Sequence, residues 1–245
     1  MLITSVNNDK IKELVKLKDK KYRDTHDLFF IEGEDLCNEA YSKGLLREIY
    51  ILDGEDNIYD GIPYSYVNNN VMKKISDMPS ITKYYGVCTK KVEEKPGNKI
   101  LILDNIQDPG NLGTIIRSAT AFNFDTLVLS DDTVDLYNPK VVRSTKGMLF
   151  NINIIVRNLD SYLKELDEYT LYGTDVNNGI DIKKESIPEK TAIVIGNEGK
   201  GISDTVKKYC HKFIYIDMSN KCESLNAAVS ASIIMYEVYK KWNMS

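Results

Sequence analysis

The residues with the clearest chemical potential lie in three short stretches. The first is Asp108-Pro109-Gly110-Asn111-Leu112-Gly113-Thr114-Ile115-Ile116-Arg117. Asn111 suits an N-cap, because its side-chain oxygen can accept from the free amides of a starting helix. On that helix Ile115, Ala119 and Phe122 share one face, and Gly113 and Arg117, four apart, share the opposite one. A glycine one turn ahead of an arginine removes the side chain that would crowd the guanidinium and leaves room for a ligand. The same spacing suits a surface arginine paired with an acid, and both readings stay open.

The second stretch, Gly196-Asn197-Glu198-Gly199-Lys200-Gly201, follows an apolar run. Its glycine spacing matches neither a P-loop nor a dinucleotide fingerprint. Glu198 would repel a polyphosphate, which favours a neutral or cationic ligand. The third stretch runs from Ile216 to Ser232. Ser224 is read as the N-cap of a helix reaching about Trp242, with Leu225, Val229 and Ile233 as its apolar stripe. Small residues crowd its first two turns and allow another backbone to approach closely. Only His26 and His211 are present, and neither lies close to these turns. Paired carboxylates are missing too. The turns therefore point to binding and positioning rather than to hydrolysis.

The elements that must carry these turns follow from the apolar pattern. Ile100–Leu103 is a continuous apolar run, as expected of a strand buried on both faces. Helices at 112–122, 140–146 and 160–166 alternate with strands at 126–129, 152–156, 169–172, 192–195 and 213–216. Such alternation predicts a parallel sheet covered on both sides, and ligands gather outside the carboxyl ends of such strands. Before it, helices at 11–17, 34–44 and 71–78 and strands at 28–31, 48–52 and 84–89 form a small α/β unit. The charged stretch 90–99 contains Pro96-Gly97 and lacks apolar periodicity, which suits a linker. We expect domains at 1–90 and 100–245, joined by 91–99.

The 245 residues, 42% apolar and 28% charged, suit one large or two modest globular domains. No apolar run approaches the ~20 residues needed to span a bilayer, and the N-terminus lacks a secretory layout. Four scattered cysteines give neither a disulfide framework nor, with two histidines, a metal cluster. The expectation is a cytoplasmic protein without metal. The formal charge of −4 excludes a broadly basic surface. Residues 1–26 nevertheless carry six lysines and Arg23 against four acids. That excess suits a solvated helix face or, more sharply, an arm that touches phosphates.

Together the three stretches resemble the SpoU/TrmH-type RNA ribose methyltransferases of the SPOUT superfamily. The resemblance rests on Asn111-x-Gly113-x-x-x-Arg117, Gly196-Asn197-Glu198-Gly199-x-Gly201 and Ser224-Leu225-Asn226, in the family's order over about residues 100–242. A looser likeness, from Phe29 to Gly33 and on to Ala40, extends it to the N-terminal unit. It implies an α/β fold, a parallel sheet with helices on both faces and a C-terminal trefoil knot, plus a small N-terminal RNA-binding domain. It also implies S-adenosylmethionine as methyl donor, a ribose 2′-hydroxyl of RNA as acceptor and a homodimer. Large-subunit (23S) rRNA is the favoured substrate, with tRNA, or a catalytically silent knotted RNA-binding protein, as alternatives.

Carried over by motif, Gly196, Ile216, Met218 and Leu225, with Thr174 a weaker candidate, would line the cofactor pocket. Arg117 would meet the acceptor hydroxyl and a neighbouring phosphate, while Asn111, Glu198, Ser224 and Asn226 hold the geometry. Arginine is too weak an acid to serve as a base, so proton loss to Glu198 or to phosphate is the expected route. Three positions depart from the family's usual pattern: Asp217 stands where a proline is common, Asn220 where a glycine is common and Ala227 where a valine is common. Asp217 and Asn220 bear on cofactor affinity.

Overall fold

The computed structural model describes residues 1–245 apart from Asn177, Asn220, Glu223 and Ser245. The chain divides into two compact units. One comprises Met1–Val92 with Asp135–Phe150, the other Glu93–Val134 with Asn151–Ser245.

In the first unit the order is β1 (Leu2–Ile3), α1 (Asp9–Lys16), α2 (Lys20–His26), β2 (Leu28–Glu32), α3 (Glu34–Ser42), β3 (Leu46–Leu52), β4 (Tyr64–Val67), α4 (Asn69–Ile75) and β5 (Tyr84–Thr89). The strands form a mixed sheet, β1-β4-β3-β5-β2. Ile11, Leu14, Phe30, Tyr50, Met72 and Tyr85 share one buried cluster, so α1 and α4 bury their apolar faces on these strands. The helix α2 has no apolar periodicity. It is held by its ends: Asp19 accepts from Tyr22 N at 3.1 Å, and Asp27 closes it at φ 51°.

The basic excess of residues 1–26 is largely spent within the fold. Lys10, Lys12, Lys16, Lys18 and Lys20 pair with Glu48, Asp9, Glu13, Asp77 and Asp24. Arg23, only 3% exposed, donates to Leu17 O at 2.8 Å and Lys18 O at 2.9 Å and pairs with Asp135. Lys10, Lys12, Lys16 and Lys20 form an exposed, salt-bridged helical face.

The chain continues through β6 (Lys99–Leu103), α5 (Pro109–Ala121), β7 (Thr126–Ser130), α6 (Pro139–Ser144), β8 (Asn153–Arg157), α7 (Leu159–Tyr162), β9 (Thr170–Thr174), β10 (Ile180–Asp181), β11 (Thr191–Ile195), α8 (Asp204–Lys207), β12 (Lys212–Tyr215) and α9 (Ala227–Met244). Helix α6 and its flanks, although encoded between β7 and β8, pack within the first unit. There Arg143 pairs with the buried Glu32, and Phe29 packs against the tilted ring of Tyr137 and stacks on Phe150.

The second unit holds a seven-stranded sheet, β10-β12-β9-β11-β6-β7-β8, parallel throughout. Ile100 and Ile102 point to one face, where Leu159, Leu163 and Val206 cover them. Leu101 and Leu103 point to the other and are equally buried. The expected linker is tied down along most of its length. Glu94 and Asn153 exchange two hydrogen bonds of 3.0 and 2.9 Å, and Gly97 N donates to Thr126 Oγ1 at 3.1 Å. Polar side chains at the starts of β7 and β8, invisible to a hydropathy pattern, supply those anchors. Among the described residues no helix is long and apolar enough to cross a membrane.

Register brings the site together. Leu103 lies beside Ile195 on one side and Leu129 on the other. The turns after β6, β7 and β11 therefore leave the sheet at one level, at its carboxyl edge.

Candidate active site

The loop after β11 is a closed ring of backbone. Asn197 and Gly201 exchange N–H to C=O bonds of 3.0 and 2.9 Å, and the Asn197 side chain accepts from Gly199 N at 3.0 Å and Lys200 N at 3.1 Å. Two of its glycines have distinct reasons. A Cβ on Gly196 would lie 2.2 Å from Gly201 C and Ile202 N, and Gly201 adopts φ 68°. Gly199 faces open space, its nearest neighbour to a Cβ being Asn197 Oδ1 at 3.8 Å.

This ring forms one wall of a cleft of about 470 Å³, within the ~300–1,000 Å³ usual for small-molecule sites. Gly196, Ile216, Met218, Leu225 and Thr174, the five candidate cofactor residues, all line it, together with Glu198 and Ser224. Ile195, Ala227 and Ile234 add further apolar wall. Thr174 Oγ1 donates to Val194 O at 3.0 Å, which fixes its rotamer. Asp217 is exposed and does not line the cleft, whereas Ala227, in place of the larger valine, does. Asn220 lies outside the described residues.

Asn111, Asn226 and Arg117 are not in the cleft wall, and the first two join it through Glu198. Asn226 Nδ2 donates to Asn111 Oδ1 at 2.9 Å, and Asn111 Nδ2 donates to Glu198 Oε1 at 2.9 Å. This relay joins the three stretches through side-chain amides. Glu198 also receives Gln107 N and Asp108 N, each at 3.4 Å. Burial pushes the Glu198 carboxyl up, but the Asn111 amide and the backbone N–H groups of Glu198, Asp108 and Gln107 outweigh it and hold the group below the ordinary carboxylate range. A carboxylate so committed as acceptor is a weaker proton sink than a free one. Arg117 is exposed on α5 and has no ion pair or side-chain hydrogen bond among the described residues.

Four local expectations differ from the structure. Asp108, not Asn111, caps α5, accepting from Asn111 N at 2.8 Å; Pro109 at the first helical position makes that earlier start favourable. Asn111, relieved of capping, turns its amide to Glu198 and Asn226. Asn226, not Ser224, caps α9, accepting from Ala228 N at 2.9 Å. Ser224 is left exposed at the cleft. The buried stripe of α9 is Ala227, Ala231, Ile234 and Val238, while Val229 is 47% exposed. The small residues do permit close packing, since Ser232 and Ser118 hydrogen-bond at 2.8 Å where α9 meets α5. Gly113 is buried within α5 and leaves no surface gap before Arg117.

The thiols of Cys37 and Cys210 are held protonated by burial, which pushes Cys37 up to about 12 and Cys210 up to about 11. His211 sits at an exposed strand end, where Nδ1 accepts from Leu171 N at 3.0 Å. Gln107 carried no signal in its spacing, and only the folded turn reveals its contacts.

Comparison with known proteins agrees with this arrangement. Residues 98–236 match the SpoU rRNA Methylase family, and residues 8–81 match the MRM3-like substrate binding domain. A Bacillus subtilis (strain 168) protein, the 23S rRNA (guanosine(2553)-2'-O)-methyltransferase RlmP, is 35% identical over 243 residues, 96% of this chain and 98% of that protein. The crystal structure of an RNA 2'-O ribose methyltransferase superposes with a TM-score of 0.85 at 26% identity, covering 99% of this chain and 100% of the other. The SpoU methyltransferase AviRb from Streptomyces viridochromogenes, in complex with AdoMet, shares the fold at 23% identity and a TM-score of 0.87, over 97% of this chain and 100% of its own.

Proposed function

Because this chain belongs to the SpoU rRNA Methylase family, we propose that it transfers a methyl group from S-adenosylmethionine to a ribose 2′-hydroxyl of 23S rRNA. The observation that carries the reading is the cleft itself: it gathers Gly196, Ile216, Met218, Leu225 and Thr174, with the Asn226–Asn111–Glu198 relay beside it. Its chemistry suits the donor. Apolar side chains and glycine-rich backbone line much of it; of its two carboxylates, Asp175 and Glu198, the second is turned to the α5 turn. When bound, S-adenosylmethionine supplies an electrophilic methyl on a positively charged sulfur. Gly196, Ile216, Met218 and Leu225 would hold it, together with Thr174.

The rest of the work falls to this chain's polar residues. Asn111, in the first turn of α5, is fixed between Asn226 and Glu198, and Arg117 follows less than two turns later. The guanidinium, without a protein partner among the described residues, is open to a two-point grip on RNA phosphate. It would also stabilise the alkoxide that develops on the 2′-oxygen. Glu198 remains ionised and serves as an acceptor that locks Asn111, so the hydroxyl proton leaves by the phosphate or by water. Holding hydroxyl and donor in line supplies most of the rate enhancement.

The first unit, which matches a substrate-binding domain over 8–81, would carry the rRNA-recognition surface. We take the trefoil knot as part of this reading. It is supported by β12 pairing between β9 and β10 and by residues after both β11 and β12 lining one cleft. A homodimer is supported by the outer face of α9, where Val229 and Tyr236 are each 47% exposed. A cytoplasmic location, where ribosomes are assembled, belongs to the same proposal.

Mapping 2′-O-methyl sites in rRNA and tRNA from cells with and without the gene tests the reading. The expected result is loss at one 23S guanosine, equivalent to the position modified by the Bacillus subtilis relative. Unchanged rRNA, or a lost methyl in tRNA alone, would overturn it.

A further inference from the structure

We propose that Gln107 is a positioning residue for methyl transfer, its side-chain amide pinning the turn whose backbone N–H groups hold the Glu198 carboxylate. The inference rests on the methyltransferase reading above.

Gln107 is exposed, yet both hydrogens of its amide are engaged at the carboxyl edge of the sheet. Nε2 donates to Asn105 Oδ1 and, at 2.7 Å, to Asp132 O in the turn after β7. Asn105 is held at φ 61°, and its N–H donates to Ser130 Oγ at 2.8 Å. The Gln107 side chain thus bridges the turns after β6 and β7, and it does not line the cleft.

The same turn grips the second loop at three backbone points. Asn105 O accepts from Asn197 Nδ2 at 2.7 Å, and Gln107 N and Asp108 N reach the two oxygens of Glu198. The last two bonds, at 3.4 Å, sit at the long end of hydrogen-bond geometry. A small rotation of the turn therefore breaks both, leaving Asn111 as the donor that remains on Oε1. Gln107 acts through Glu198 and touches neither donor nor acceptor.

The test is steady-state methyl transfer to an rRNA fragment by Gln107→Ala and by the near-isosteric Gln107→Met, each also placed on Glu198→Gln. The expected result is a kcat loss of about tenfold, below the ~100-fold attached to a 1 Å misplacement. Donor affinity by calorimetry stays within about twofold, and the thermal midpoint is close to that of the parent. The acid limb of the kcat–pH profile moves to higher pH, because fewer donors stabilise the Glu198 carboxylate. On the Glu198→Gln background either Gln107 substitution adds little, as expected of two residues acting as one unit.

Full kcat in both Gln107 variants, an unmoved acid limb, or an equal loss on both backgrounds would overturn the inference while leaving the methyltransferase reading intact. Full turnover by Glu198→Gln alone would overturn both the role given to Glu198 and this inference.

Discussion

Arg117 and Glu198 carry opposite charges and opposite amounts of protein attention. Glu198 is surrounded by donors, whereas Arg117 projects from α5 with no partner among the described residues. A guanidinium that stabilises nothing in the fold is free to be spent on RNA. Arg117→Ala should therefore lower kcat by ~100-fold or more, as removal of a group that stabilises developing negative charge does, with the thermal midpoint unchanged. Arg117→Lys should recover only a small part, because an ammonium keeps the charge but loses the planar fork. Turnover and thermal melts of the two variants check this together.

For Glu198 the sign is fixed by its lowered pKa. Its ionised form is favoured in the folded state, so that contribution is present above the ordinary carboxylate value of 4.5 and fades as pH falls through the lower folded value. Turnover of the parent should show no Glu198 inflection between roughly pH 5 and 8. Asn111→Ala removes the strongest side-chain donor and should bring the acid limb upward; a profile identical to the parent's would contradict the relay.

Among the elements, the loop after β11 is the least tolerant of change. The added methyl of Gly196→Ala would meet backbone atoms at 2.2 Å, and backbone cannot rotate away as a side chain can. We expect it to abolish donor binding in calorimetry. Gly199→Ala, with only Asn197 Oδ1 at 3.8 Å, serves as the control and should keep the loop intact. Asn226→Ala removes the cap of α9, costing about 1 kcal/mol, and also cuts the link to Asn111. It should lower both the thermal midpoint and kcat, whereas Ser224→Ala should spare the midpoint.

The elements also show where the sequence was legible. Long apolar runs such as Ile100–Leu103 and Ala192–Ile195 announce buried parallel strands because no other structure buries both faces so cheaply. Helix α2 and the short β4, β10 and α8 escape, since end caps and neighbouring strands hold them rather than periodicity. Helix starts shift by a few residues because competing caps differ in geometry, as at Asp108 against Asn111 and Asn226 against Ser224. The site residues were recognisable as motifs, but the relay was not. Its bonds join residues 115 and 87 positions apart, and no spacing rule reaches that far. Gln107 was invisible for the same reason.

At the scale of the whole molecule, the chain passes between its two units at Val92–Glu93, at Val134–Asp135 and at Phe150–Asn151. The first unit therefore depends on residues encoded far downstream. Without Asp135 the buried Arg23 keeps its backbone acceptors but loses its carboxylate. Without Arg143 the buried Glu32 keeps Ser76 and Asp77 N but loses its cation, while Phe29 loses the rings of Tyr137 and Phe150. An uncompensated buried charge typically costs ~3–5 kcal/mol. A fragment ending at Val92 should be unfolded or aggregation-prone by circular dichroism and light scattering. An otherwise identical fragment with 135–150 appended through a flexible tether should fold.

That arrangement changes what a cut can do. A protease site placed between Val92 and Glu93 would sever the peptide, yet the amino-terminal piece would stay clasped around the 135–150 segment of the other. The two halves should travel as one particle on a sizing column and part only when denaturant is added.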